Sequence, residues 1–271
     1  MVSLLSTDFD GTLIDWQEPT VDASLFAWLA ALRRHGVLWA LNTGRDLEFA
    51  LEGLHKHGFP MEPDFLLTNE RAIYRRTMHG TWEDYGDWNS RCEEDHQELF
   101  LREAPLLERM WDFLHNQTAV ELIYEKGLLV GFLAQDEEEM NRVAAHFQTI
   151  RPADSLCDYQ RNTLYWRFCH AHYSKGSALA ELCRLLRIGR ENVVAAGDHH
   201  NDLSMLDGLH ARWPIAPSNA IAEIQHAVRK AGGYVAATRC SRGVVEGLAH
   251  LFGGKGIAPK GFPGELLTTA L

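Results

Sequence analysis

The sequence predicts an α/β fold: a doubly wound, parallel, Rossmann-like sheet interrupted by an inserted α+β domain. Three observations carry that expectation. Apolar runs of strand length alternate with amphipathic stretches of helical length from Val2 to about Ile73, and again from Lys175 to Leu251; this is the rhythm of βαβ units. Asp8, Thr43 and Asp198 follow apolar runs and Lys175 opens a helix, and sheets of this kind bind ligands at the carboxyl ends of their strands. Between Arg75 and Cys169 the alternation stops and an acidic, aromatic-rich composition takes over.

The run 1–7 reads as a buried first strand. Residues 21–35 place Leu25, Trp28, Leu29 and Leu32 at helical spacing, with Gly36 as the C-cap. A strand at 37–41, a helix at 46–57 and a strand at 65–68 complete the first half. The second half is expected to run as helix 176–186, strand 193–196, helix 202–209, strand 211–215, helix 220–231, strand 234–236 and helix 243–251. The Gly253-Gly-Lys-Gly256 run lacks the Gly-Lys-[Ser/Thr] and the preceding strand of a phosphate loop, so it is expected to be a flexible terminus.

The inserted domain is assigned to residues 75–169 and the core to 1–74 and 170–271. Glu83, Asp84, Asp87, Glu93, Glu94, Asp95 and Glu98 are interleaved with Trp82, Tyr85 and Trp88, which reads as a solvated face rather than a binding surface. Helices are expected at 106–116 and 137–147 and strands at 120–124, 128–134 and 164–168. Tyr165 and Trp166 are assigned to this domain's core rather than to a sugar-stacking platform.

With 271 residues, 46% of them hydrophobic, the chain can bury one large or two modest cores. A net charge of −11 argues against nucleic acid as the main partner. The five cysteines (Cys92, Cys157, Cys169, Cys183 and Cys240) form no Cys-x-x-Cys pair, which suits free thiols in a reducing cytoplasm. Met1 leads straight into the first strand, so no signal peptide is expected. No apolar stretch reaches the roughly 18 residues of a membrane span. The expectation is a cytoplasmic protein with no membrane or nucleic-acid partner; nothing in the sequence sets an oligomeric state.

Asp8-Phe9-Asp10-Gly11-Thr12-Leu13 is the most informative segment. Gly11-Thr12 can turn the chain and leave two carboxylates together at the strand's end. A plain strand-to-turn exit also favours Asp and Gly. Two like charges two residues apart, however, are costly unless a cation or a proton offsets them. A hard divalent ion such as Mg²⁺ does so, and phosphoryl transfer is the chemistry that commonly needs one.

This segment resembles the first motif, Asp-x-Asp-x-[Thr/Val], of the haloacid dehalogenase (HAD) superfamily. Leu38-Trp-Ala-Leu-Asn42-Thr43-Gly44-Arg45 is similar to the second motif, Lys175 in Tyr173-Ser-Lys-Gly-Ser177 to the third, and Gly197-Asp198-His-His-Asn201-Asp202 to the fourth. All four stand in the family's order. Only 32 residues separate Asp10 from Thr43, whereas Thr43 and Lys175 lie 132 positions apart. An insertion after the third strand resembles the type-2 cap, and its α+β content the Cof-type (IIB) subgroup. Asn69-Glu70-Arg71-Ala72 resembles that subgroup's Asn-Gly-Ala turn, although Glu70-Arg71 departs from the usual Gly. Ala216-Pro-Ser-Asn219-Ala220 and Arg242-Gly243-Val244 resemble two further elements.

The resemblance implies a phosphatase working through an aspartyl-phosphate, and the residues suit that chemistry. Asp8 is the expected nucleophile and Asp10 the acid/base that protonates the leaving oxygen and then activates water, a role served by a pKa raised by neighbouring carboxylates. Mg²⁺ is expected on Asp8, the main-chain oxygen of Asp10, and Asp198, with Asp202 behind them orienting a bound water or Lys175. Asp202 equally suits a helix N-cap, and Asn201 supports the same outer shell. Thr43, the Gly44 N–H and Lys175 would clamp the phosphoryl group.

Several readings stay open at this level. Arg45 either reaches substrate oxygens or pairs with an acid at the sheet edge. Asn219 either lines the site or caps a helix. His199, His200, His170 and His172 have imidazole spacings that also suit Zn²⁺, though a carboxylate set favours Mg²⁺. The expected substrate is a small phosphorylated metabolite, a sugar phosphate foremost. Alternatives are a phosphosugar mutase-type phosphotransferase, which would want a basic cap, and a non-catalytic binding protein, which would be expected to have lost Asp8, Asp10, Lys175 or Asp198.

Overall fold

The computed structural model describes residues 1–15, 17, 20–125 and 127–268. In chain order the elements are β1 (Leu4–Thr7), α1 (Ala23–Arg34), β2 (Leu38–Asn42), α2 (Leu47–Lys56), β3 (Phe65–Thr68), β4 (Ala72–Arg76) and β5 (Trp82–Asp84). Next come α3 (Trp88–Arg102), α4 (Ala104–Gln117), β6 (Glu121–Glu125), β7 (Leu128–Leu133), α5 (Glu137–Ile150), β8 (Cys157–Asn162) and β9 (Tyr165–His170). The last stretch holds α6 (Lys175–Leu186), β10 (Val193–Ala196), α7 (Leu203–Leu206), β11 (Trp213–Ala216), α8 (Ala222–Lys230), β12 (Tyr234–Val235), α9 (Cys240–Lys255) and α10 (Gly264–Thr268).

The chain divides into two compact units: Met1–Asn89 with Lys175–Leu271, and Ser90–Ser174. In the first, the sheet order is β12-β11-β10-β1-β2-β3-β4-β5. β1 lies at its centre, parallel to both neighbours in the registers Leu4↔Leu38 and Leu4↔Val193. Every residue of β1 is buried, as are those of β3 and β10. Strands covered on both faces need continuous apolar runs of this kind. One apolar cluster joins Leu5, Phe9, Trp28, Leu32, Leu41, Val194, Ile215, Val244 and Leu248, so the strands that carry the motifs are fixed from behind.

Two expectations are corrected in this unit. The boundary predicted at residue 74/75 moves to 89/90, and the return from 169/170 to 174/175. β4 and β5 extend the core sheet as an antiparallel edge hairpin, Thr68↔Ala72 and Arg75↔Glu83. The Asn89 amide brackets the Ile73 N–H and C=O (2.7 and 3.0 Å) and fastens the start of α3 to this edge. A charged, short hairpin looks foreign to a parallel core, yet open parallel sheets often accept an antiparallel edge. The predicted flexible terminus is also not found. Gly253 and Gly254 continue α9, Gly256 closes it in the left-handed region (φ +64°), and Ile257 and Phe262 join the apolar cluster. A residue past a helix end adopts this conformation most cheaply as glycine.

The second unit is a four-stranded antiparallel sheet, β6-β7-β9-β8, with its own core of Leu106, Met110, Phe132, Val143, Phe147, Trp166 and Phe168. Trp166 stacks on Phe132 and Tyr159 within that core. α3 and β8 were not among the elements predicted from sequence. Of the acidic run, Glu83 and Asp84 fall on β5, while Glu93, Glu94, Asp95 and Glu98 fall on α3, a helix whose buried stripe is Trp88, Cys92, His96 and Leu99, spaced four, four and three residues apart on one helical face.

Candidate active site

β1 continues one residue past its ladder, the Asp8 N–H donating to the Ala196 C=O (2.9 Å), before the chain turns. The Phe9 carbonyl then accepts from the Leu13 N–H (2.8 Å) and, at longer range, from Thr12 and Ile14, wrapping the chain into a tight loop. Gly11 sits at φ +82°, and a Cβ there would come within 2.4 Å of Asp198 Oδ2. The loop therefore needs glycine for conformation and for close approach. Thr12 donates to Asp198 Oδ1 (2.6 Å). This hydroxyl, named in the sequence only as part of a turn, ties the first motif to the fourth.

Lys175, fully buried at the first turn of α6, is the centre of the site. Its Nζ donates to Asp8 Oδ1 (2.6 Å) and to Asp202 Oδ1 (2.7 Å). Asn42 Nδ2 donates to the Lys175 carbonyl (3.0 Å) and holds the helix start. Asp202 Oδ2 accepts the Asp198 and His199 N–H groups (2.8 and 3.0 Å), so both of its oxygens are engaged within the chain. That favours the outer-shell reading of Asp202 over a direct ligand. Lys175 is also the reason the carboxylates can crowd. Burial alone would pull its ammonium down, but Asp202 and Asp8 outweigh that and hold it above its ordinary range.

Among the described residues, Asp8, Asp198 and Asp202 are the one group of three or more potential metal ligands whose donor atoms lie together, all within 4.8 Å of one another. The donors are hard carboxylate oxygens with no sulfur, and the residues fit a Mg²⁺-type ion. Burial, followed by the Asp202 charge, pushes the Asp8 carboxyl well above its usual range and that of Asp198 up to about 7. In the metal-free protein, folding thus retains protons that the unfolded chain has already released, so stability falls as pH rises from about 4 to about 7. A cation takes the protons' place. The rise in melting temperature on adding Mg²⁺ should be small near pH 5.5 and grow towards pH 8; a calorimetric series across that range that stays flat would contradict it.

Asp10 meets a cation where carboxylate neighbours were expected. Arg45 Nε and Nη2 donate to Asp10 Oδ2 and Oδ1, each at 2.7 Å. The guanidinium lies against the Phe9 ring, and Nη1 donates to the Phe49 carbonyl (3.2 Å). Arg45 thus forms an ion pair whose partner is Asp10. Thr43 is buried behind Gly44, its hydroxyl accepting the Arg45 N–H (3.2 Å). Asn219 braces the loop: Nδ2 donates to the Gly11 carbonyl (2.7 Å) and Oδ1 accepts the Cys240 N–H (2.9 Å). Its amide is thus engaged inside the chain at both ends. It does not cap α8, whose N-cap is Ile221.

His200, His170 and His172 make contacts within the chain. His200 Nδ1 pairs with Glu223 (3.0 Å). In the other unit the His170 N–H donates to His96 Nε2 and the His172 N–H to His170 Nδ1, both at 3.2 Å. All five cysteines are free and buried. Among the described residues no helix is long and apolar enough to cross a membrane.

The chain is similar to several known proteins. A family model described as haloacid dehalogenase-like hydrolase matches residues 113–248, half of the chain. The chain is 26% identical over 253 residues to mannosylfructose-phosphate phosphatase of Agrobacterium fabrum, covering 91% of this chain and 96% of that protein. It is 26% identical over 262 residues to 5-amino-6-(5-phospho-D-ribitylamino)uracil phosphatase of Bacillus subtilis, covering 92% and 95%. The crystal structure of sucrose-phosphatase from Synechocystis, in complex with sucrose and phosphate, superposes with a TM-score of 0.70 at 20% identity, covering 93% of this chain and 99% of that one.

Proposed function

Because the chain belongs to the haloacid dehalogenase-like hydrolases, we propose that it is a Mg²⁺-dependent phosphatase that hydrolyses a small sugar phosphate through an aspartyl-phosphate on Asp8. The observation that carries this reading is the buried Lys175 ammonium shared between Asp8 and Asp202, beside Asp198. An Asp8 oxygen attacks phosphorus, the bond from phosphorus to the leaving oxygen breaks, and Asp10 supplies the proton that makes the leaving group an alcohol. Water then attacks the same phosphorus, Asp10 takes its proton, and inorganic phosphate leaves while Asp8 is regenerated. Arg45 aims Asp10, clasping both oxygens while it is ionised and one of them while the other carries the proton. Lys175 keeps Asp8 oriented, and Thr43 with the Gly44 N–H is placed to grip a phosphoryl oxygen. A Mg²⁺ ion bound by Asp8 and Asp198 would neutralise the phosphoryl charge.

The sugar part of the proposal is supported by the relatives named above, among them mannosylfructose-phosphate phosphatase.

The test is a screen of the purified full chain against phosphorylated metabolites, with Mg²⁺ and after EDTA. Phosphate release from a sugar phosphate that disappears with EDTA and returns with Mg²⁺ is expected. Full activity after chelation, or no hydrolysis of any monoester, would overturn the reading.

A further inference from the structure

The turn between β3 and β4 departs from what its backbone prefers. Arg71 N–H closes it on the Thr68 carbonyl (3.0 Å), and both central residues are left-handed, Asn69 at φ +50° and Glu70 at φ +62°. Glycine is the favoured residue at the second position of such a turn, and a side chain there is strained. The turn is nonetheless held rigidly: the Asn69 N–H donates to the Arg45 carbonyl (2.9 Å) and the Glu70 N–H to the Thr43 carbonyl (3.1 Å).

The strain carries a buried carboxylate into the active site. Glu70 is 7% exposed. Its Oε1 accepts a hydrogen bond from Asn201 Nδ2 (2.7 Å), and it lies over Gly44, whose Cβ, if present, would be 3.2 Å away. With Nδ2 committed to Glu70, the orientation of the Asn201 amide is fixed. Its Oδ1 is buried and meets no donor among the described residues. Asn201 stands between Asp198 and Asp202 in the loop that supplies the carboxylate cluster. A buried acceptor without a partner costs free energy unless water or an ion's hydration shell supplies a hydrogen.

We propose that Glu70 is a positioning residue for the metal site: it locks the Asn201 amide so that Oδ1 faces a water of the cation bound by Asp8 and Asp198. This rests on the Mg²⁺ reading above. Partners that orient the groups around a metal in this way typically change affinity by ~10–100-fold when removed.

The experiment measures Mg²⁺ binding to the metal-free full chain by calorimetry, together with thermal melts, so that no turnover is needed. Glu70→Gly should weaken Mg²⁺ binding by about tenfold while the metal-free melting temperature holds or rises, since the strained conformation then suits its residue. Glu70→Gln keeps an acceptor oxygen for Asn201 and should return binding to within about threefold of the parent. In an Asn201→Ala background the Glu70→Gly effect should vanish, because Glu70 acts through that amide. Unchanged Mg²⁺ affinity in Glu70→Gly overturns the proposal. So does a loss that persists undiminished in the Asn201→Ala background. If the parent protein binds no Mg²⁺, the metal reading itself fails and this one falls with it.

Discussion

Asp8→Asn should lower turnover by at least about 10⁴-fold, the scale on which loss of a catalytic nucleophile is felt, without harming the fold. An amide oxygen can still accept the Lys175 hydrogen bond that Asp8 Oδ1 receives at 2.6 Å. What disappears is a buried carboxyl whose ionised form is opposed by burial, by Asp202 and by Asp198. The metal-free melting temperature should therefore hold or rise, in contrast to most substitutions at a buried polar position. Steady-state kinetics and a thermal melt on the same preparation check both halves. Activity near the parent level would remove Asp8 from the nucleophile's role, and a collapse of stability would mean that its charge is structural.

Lys175→Met is expected to do the opposite to stability. Lys175 has no exposed surface and is the cation that both Asp8 and Asp202 contact. Methionine fills similar volume but leaves two buried carboxylates facing each other, and breaking a buried pair by removing one partner costs about 3–5 kcal/mol. In a chain of this size that is a fall of about 10 °C in melting temperature. The fall should shrink at acidic pH, where the carboxylates can take up protons. It should also be partly recovered by adding Asp202→Asn, because the two sites share one interaction. A Lys175→Met protein as stable as the parent at pH 7.5 would show that the ion pairs do not hold the site together.

That Asp8, Lys175, Asp198 and Asp202 come together was legible because each stands in a motif at the end of an apolar run or the start of a helix, and a parallel sheet delivers such positions to one edge. Partnerships were less so. Nothing local in the sequence joins Asp10 to Arg45, which are 35 residues apart, or Glu70 to Asn201, 131 apart; those are products of topology. α3 escaped because its buried stripe includes Cys92 and His96 in a setting of Glu and Asp, so aliphatic periodicity is weak. β8 escaped because Asp158, Gln160 and Asn162 alternate with Cys157 and Tyr159 and leave little apolar signal. The end of α9 was misread because glycine is a helix breaker on average, whereas here Leu251 and Phe252 are buried beside it and packing overrides propensity.

The central position of β1 has a consequence for how the protein is made. One neighbour of β1, β2, ends at Asn42, but its other neighbour, β10, begins at Val193. The Val2 N–H waits longer still, for the Ile257 carbonyl (3.0 Å). The intervening unit, Ser90–Ser174, is continuous in sequence and needs nothing downstream to close its core. Domains generally fold as units during vectorial synthesis, and long-range parallel pairing is slow. The nascent chain therefore carries an unpaired edge of β1 until Val193–Ala196 emerges, with the inserted unit already able to assemble, and the pairing of β10 that covers this edge also brings Asp198 to Asp8.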